Sequence, residues 1–261
     1  MALRFTVATV TFNAASTIER TLLSVASQSY EQVEHLIVDG CSQDGTMKNI
    51  QRYIERNCNA CHPHSIRLVR EPDEGLYDAM NKAIALAKGD FIIFLNAGDK
   101  FHSTTTLEEV ARQMQYYDPQ RLPAVVYGET DIVDDEGNFQ RHRRLAAPER
   151  LVSRSFLSGM LVCHQSFYVR TDLARTEPYD LRYRYSGDYD WCIRVMHRAE
   201  RRYLSFHNTK LILTDYLNEG MTTRNHRRSL LERLRIMAHH FGWWYALIAH
   251  AWFVVRAVVK K

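Results

Sequence analysis

The chain has 261 residues, 46 % apolar and 25 % charged. That is enough to bury one large α/β core, and it excludes disordered, collagen-like and disulfide-dense classes. The net charge of +4 is uneven, because residues 221–261 hold eight Lys/Arg against one acid and leave the preceding residues net acidic. Phosphates or lipid head groups are therefore expected as partners of the tail, and nucleic acid is not expected as a partner of the body.

In chain order, residues 5–12 read as a buried apolar strand ending at Asn13. The start Met1-Ala2-Leu3-Arg4-Phe5 shows no signal-peptide pattern, so a cytoplasmic body with free thiols is expected from its five cysteines. Residues 16–28 have helical spacing, with Ser16 and Glu19 placed as a capping box. Residues 33–38 form a second strand, which stops at Asp39-Gly40, and residues 47–56 a second helix. Cys58, Cys61, His62 and His64 follow as C-x-x-C-H-x-H. Zinc usually takes two separated ligand pairs, so a polar loop is the better reading of that cluster.

Residues 66–69 read as a third strand and 79–87 as a helix with Gly89 as its stop. Residues 91–95 are a fourth strand, running into Asn96-Ala97-Gly98-Asp99. After residue 104 the pattern loosens into a helix at 107–117, short strands at 124–127, 131–133 and 161–169, and a helix at 188–198. This alternation predicts an α/β fold with a mostly parallel central sheet flanked by helices. Ligands in such sheets sit beyond the carboxyl ends of the strands. Asn13, Asp39, the acids of 71–74 and Asp99 all follow predicted strands, so they arrive at one edge.

Each polar cluster has two readings. Asp39 suits a nucleobase imide or ribose hydroxyl, or it caps the next helix; Asp44 suits a turn. Asp99 suits a hard cation whose other ligands come from a diphosphate, with Gly98 admitting the backbone to that diphosphate, or it ends a plain turn. Asp78, Asn81 and Lys82 share one helical face, ready for ribose and phosphate or simply solvated. Asp188 and Asp190 at a helix start stabilise its dipole, or one of them serves as a general base.

Together these motifs resemble the family 2 glycosyltransferases, whose catalytic domain has the GT-A (Rossmann-like) fold. The resemblance rests on Val10-Thr11-Phe12-Asn13, on Val38-Asp39-Gly40-x-Ser42-x-Asp44-Gly45-Thr46, and on Glu74-Gly75-x-Tyr77-Asp78-Ala79-Met80-Asn81-Lys82. It continues through Leu95-Asn96-Ala97-Gly98-Asp99, His164-Gln165-Ser166 and Gly187-Asp188-Tyr189-Asp190, covering about residues 4–195. It is most similar in flavour to bacterial enzymes that build colanic acid, O-antigen and capsule repeat units.

The resemblance implies a donor nucleotide site made of Val10, Thr11, Asn13, Asp39, Asp78, Asn81, Lys82, Asn96, Ala97 and Gly98. It implies Asp99 as the ligand of Mn²⁺ or Mg²⁺, in a segment where other members carry two acids, and Asp188 as the catalytic base with Asp190 as runner-up. His164, Gln165, Thr222, Arg224 and Arg227 would belong to an acceptor or phosphate loop. It also implies inverting transfer, and no Q-x-x-R-W motif of processive members occurs. The halves are expected at 1–128 for the nucleotide-sugar and 129–220 for the acceptor. A sugar-nucleotide nucleotidyltransferase would want a Gly-rich, Arg/Lys-bearing loop after strand one, which residues 11–15 lack. A non-catalytic membrane- or polysaccharide-binding protein would have little use for acids at 39, 99 and 188 together.

Residues 221–261 read as a helical tail, basic and then apolar, with no Lys, Arg, Asp or Glu between 238 and 255. His239, His240 and His250 suit an interface better than a membrane span, so residues 238–259 are expected at the cytoplasmic face of the inner membrane. The other reading is a core or homo-oligomer helix. A polyprenyl-diphosphate-linked saccharide acceptor would explain membrane contact.

Overall fold

The computed structural model describes residues 2–60, 63–217 and 226–259. The elements run β1 (Phe5–Thr11), α1 (Ile18–Ala26), β2 (Val33–Asp39), α2 (Thr46–Cys58), β3 (Ser65–Arg70), α3 (Leu76–Leu86), β4 (Phe91–Phe94) and β5 (Lys100–Phe101). They continue through α4 (Thr106–Met114), β6 (Val125–Val133), β7 (Phe139–His142), β8 (Phe167–Arg170), α5 (Thr171–Thr176), α6 (Gly187–Arg201) and β9 (Phe206–Leu217). Two tail helices close the chain, α7 (His226–Phe241) and α8 (Trp243–Val259).

One sheet runs in the order β3-β2-β1-β4-β8-β6-β9-β5, with β7 on β6. The expected parallel character holds for β3, β2, β1 and β4. Beyond β4 the sheet is mixed, since β8 is antiparallel to both β4 and β6, whereas β9 is parallel to β6. β1, β2 and β4 are buried along their whole length. Ile18, Leu22 and Ile50 of α1 and α2 pack on Ile37 on one side, and Met80, Ala83 and Trp191 of α3 and α6 pack with Leu36 and Val38 on the other. Strands covered on both faces favour apolar residues throughout, and the polar exceptions here pair with each other, as Thr6 does with Glu34 at 2.6 Å. His35 within β2 is bonded by Thr9 and Tyr53, and burial pushes its pKa down to about 3, so it stays neutral.

Several expectations change. The Ser16–Glu19 box does not form: α1 starts at Ile18 with no side-chain cap. The turn before it is held instead by the entry to α2, where Thr46 Oγ1 accepts from the Ala14 N–H and Asp44 Oδ2 from the Ala15 N–H. Asp44 also accepts from the Thr46 N–H, as its turn reading required. Gly89 has no left-handed backbone; a Cβ there would lie 2.5 Å from the Thr6 nitrogen, so glycine admits β1. The strands expected at 124–127 and 131–133 are one strand, β6, with a register shift at Gly128, where a Cβ would lie 2.5 Å from the Leu211 carbonyl oxygen. β6 therefore crosses the join between the two expected halves. Of 161–169 only the end is strand; residues 164–166 form a 3-10 turn that carries His164 and Gln165 to the sheet edge. β9 was not anticipated, because His207, Asn208, Thr209 and Lys210 break its apolar pattern.

Candidate functional site

A cleft of about 650 Å³ opens at the carboxyl ends of the parallel strands, lined among others by Asn13, Arg20, Tyr77, Asn96, Ala97, Asp99, His164, Gln165, Arg184, Tyr185, Asp188 and Tyr216. A neighbouring cleft of about 680 Å³ is lined by Val10, Thr11, Phe12, Gly75, Asp78 and Arg182, and it shares Leu76, Tyr77 and Arg184 with the first. The sheet edge thus offers two joined compartments, at the place open α/β sheets bind ligands.

Asp99 is buried. Its Oδ2 accepts from Gln165 Nε2 at 2.8 Å, and its Oδ1 from the Leu217 N–H at 3.2 Å. Burial pushes the carboxyl up to about 6, although Gln165, His164, the Leu217 amide and Arg20 all pull the other way. A cation would reverse that penalty. Asn96 adds a second oxygen: its Oδ1 is buried without a partner, while its Nδ2 lies 3.2 Å from His164 Nε2. One carboxylate and one neutral oxygen fit a Mg²⁺ or Mn²⁺ ion that brings phosphate and water as its remaining ligands.

Asp188 sits at the first turn of α6 and lines the same cleft. Tyr77 donates its hydroxyl to Asp188 Oδ1 at 3.3 Å, and His164 Nδ1 lies 3.4 Å from Oδ2. Burial would raise this carboxyl, but His164, Arg233 and the Tyr189 amide outweigh it and hold it below the usual carboxylate range. Tyr77 is positioned by an aromatic pile, stacked on Tyr179, which stacks on Trp191. Gly187 is required by the same packing, since a Cβ there would lie 2.7 Å from the Tyr77 ring. Two motifs distant in sequence, Gly75-x-Tyr77 and Gly187-Asp188, meet as one structure.

Thr11 leaves its hydroxyl oxygen buried and unpartnered beside the second cleft. Asp39 lies next to it across the β1–β2 register. Its carboxylate closes a turn by accepting from the Ser42 N–H and hydroxyl, and it faces Arg70 at 3.5 Å. Asp78 lines the second cleft and accepts from the Glu74 N–H.

Other expected residues are not brought to either cleft. Asn81 spends both ends of its amide on the Tyr179 backbone. Lys82 is held by Glu71, Asp78 and the Pro72 carbonyl. Asp190, the runner-up base, is buried between Arg194 and His240 at 2.7 and 2.8 Å. Gly98 has φ +107°, and a Cβ on it would lie 2.9 Å from Leu217, so a turn and Leu217 require this glycine. Arg227 is exposed on α7, and its neighbour Arg228 reaches the cleft wall by donating to the Tyr185 hydroxyl. Thr222 and Arg224 lie outside the described residues, as do Cys61 and His62 of the cysteine–histidine cluster.

The sequence reading missed Arg20, Arg184, Tyr185 and Tyr216. Arg20 has a buried Nη2 with no partner, on the cleft side of α1. Its only signal was a basic residue on the helix after strand one. His102, Asp131 and Asp215 also gather within 4.8 Å of one another. They form a rung across the sheet, where Lys100 at 3.0 Å from Asp215 already supplies counter-charge and His142 lies 2.8 Å from Asp131.

Residues 6–177 match the family model "Glycosyl transferase family 2". Similar proteins include the PGL/p-HBAD biosynthesis glycosyltransferase of Mycobacterium bovis, 32 % identical over 191 residues, or 73 % of this chain and 68 % of that one. The S. aureus TarS 1–349 structure with UDP-GlcNAc superposes with a TM-score of 0.69 at 17 % identity, covering 90 % of this chain, which spans 66 % of that one. A Pyrobaculum calidifontis mannosyltransferase with GDP-Man and Mn²⁺ gives 0.60 at 18 % identity, covering 99 % and 76 %. At those identities the two structures bear on the fold, and it is theirs.

Proposed function

Because the chain belongs to glycosyl transferase family 2, we propose that it transfers one sugar, with inversion, from a nucleotide-sugar to a hydroxyl of a saccharide acceptor. UDP is the default nucleotide. The observation that carries this reading is the joined pair of clefts, with Asp99 and Asp188 both lining one and Thr11 and Phe12 in the other.

In this reading the base and ribose lie against Val10, Thr11 and Phe12, and Asp39, buried and lining neither cleft, supports that pocket by holding the Ser42 turn beside Thr11. The diphosphate lies toward Asn96, Ala97 and Asp99, where the free Arg20 nitrogen meets its charge. Asp99 and the Asn96 oxygen would hold Mn²⁺ or Mg²⁺, which supplies electrostatic stabilisation of the departing diphosphate. Asp188 takes the proton of the acceptor hydroxyl as that oxygen attacks the anomeric carbon. Tyr77 and His164 fix the direction of the Asp188 carboxylate, and Gln165 that of Asp99. Thermal shift with UDP- and GDP-sugars, with and without Mn²⁺, tests the reading. One donor class should raise the midpoint in a Mn²⁺-dependent way, and no response to any donor contradicts a donor site.

The acceptor we favour is a polyprenyl-diphosphate-linked glycan at the cytoplasmic face of the inner membrane. Trp243, Trp244, Leu247, Ile248 and Trp252 form an exposed stripe along α8, with Trp244 81 % exposed, while Ala246 is buried against the core. An aromatic stripe next to basic residues suits the head-group boundary. No helix among the described residues is long and apolar enough to cross a membrane. Removing the tail from residue 238 would strip Ala238 and Ala246 from the core, so substitution is the cleaner test. Trp243, Trp244 and Trp252 all changed to Gln should abolish flotation with anionic vesicles. Unchanged flotation contradicts the anchor, and conversion of a dimer to a monomer by the same changes assigns the stripe to a second copy.

A further inference from the structure

Glu232 is the one acid among the basic residues of the tail. Among the described residues its carboxylate takes backbone amides as partners. Oε1 accepts from the Arg184 N–H at 3.0 Å, and Oε2 from the Tyr185 and Ser186 N–H groups at 2.8 and 2.9 Å. Three consecutive amides therefore converge on one carboxylate of a distant helix, an anion-binding nest filled from within the chain. Arg184 and Tyr185 line the reaction cleft, and Asp188 follows two residues after Ser186.

The local sequence explains why such a partner is needed. Ser186 is the N-cap of α6, but its side chain makes no cap bond, because its hydroxyl is spent on Ser229 of α7 at 2.9 Å. In a capping box an acid three residues into the helix returns to the N-cap amide. Here that position is Tyr189, whose hydroxyl instead donates to the Phe156 carbonyl. Glu232 fills the vacant role from α7. One turn further along α6, Asp190 takes His240 at 2.8 Å, so α7 grips α6 at two places.

We propose that Glu232 is a positioning residue: its carboxylate clamps the Arg184–Ser186 amides and sets the acceptor-facing wall beside Asp188, making the tail part of the reaction site as well as a membrane contact. The kinetic half of this inference rests on the transferase reading above; the clamp does not. Glu232→Gln keeps the side-chain volume and one acceptor oxygen but removes the charge. Glu232→Ala removes the clamp entirely, and Glu232→Asp returns the charge one methylene short.

Hydrogen exchange at residues 184–186 should accelerate in Gln and more in Ala, with Asp between wild type and Gln, while protection of β1 and β2 stays at the wild-type level and certifies folding. In steady state, Gln should lower kcat about tenfold and raise acceptor KM, with donor KM changed by less than about twofold. Unchanged exchange at 184–186 overturns the clamp whatever the activity. Accelerated exchange with wild-type kcat and acceptor KM overturns the positioning role. A wild-type protein without turnover on any donor contradicts the transferase reading, and the exchange arm separates that failure from failure of the clamp because it needs no substrate.

Discussion

Replacing Asp188 by Asn is expected to lower transfer by about 10²–10⁴ while donor affinity changes by less than about twofold. The substitution preserves shape and removes the group proposed to accept the proton. The choice of Asp188 over Asp190 follows from geometry. Asp188 opens on the cleft and contacts Tyr77 and His164, whereas Asp190 is buried between Arg194 and His240. Asp190→Asn should therefore act mainly through stability, by weakening the contact of α7 with α6 at His240, and lower kcat of the folded fraction far less than Asp188→Asn does. Measuring transfer and donor binding side by side on both variants decides the assignment. Full transfer in Asp188→Asn would remove it from the mechanism.

Asp99→Asn is expected to weaken Mn²⁺-dependent donor binding by at least about 10²-fold, since one carboxylate carries the protein's charge toward the ion. The pH dependence has a definite sign. The free carboxyl titrates at about 6, and a cation binds only the ionised form. Affinity should be level above that pH and fall about tenfold per unit as pH drops below about 6. Burial also means that ionising Asp99 disfavours the folded state without the ion. That penalty is absent below the unfolded carboxyl value and grows until pH passes the folded value near 6. Asp188 is held low, so its own limb lies well below that of Asp99. An acid limb in kcat/KM near 6 that survives in Asp99→Asn would contradict this assignment.

Much of the sheet and most of the polar residues at its carboxyl edge were legible in the sequence, for a physical reason. β1, β2 and β4 are buried on both faces, so they are rich in apolar residues, and a polar residue follows or ends each at the carboxyl edge of the sheet. The acceptor half was harder to read. β9 opens with His207, Asn208, Thr209 and Lys210 before its buried run, and β6 is interrupted by Gly128, so neither shows a clean period. The partners of Asn81 and Asp190 were not legible because spacing places a residue on a helix face without saying what packs there. Tyr179 and His240 come from segments 98 and 50 residues away. Arg20 and Glu232 were invisible for the same reason, since each takes its meaning from a partner that only the fold supplies.

The most direct test of the central claim is release of nucleoside diphosphate from a panel of nucleotide-sugars by the wild-type chain, with Mn²⁺ and a saccharide acceptor present. Release from one donor class is predicted, suppressed by chelation and by Asp99→Asn and dependent on acceptor through Asp188. Release that is indifferent to both aspartates, or none from any donor by the folded protein, would contradict the assignment of this cleft to sugar transfer.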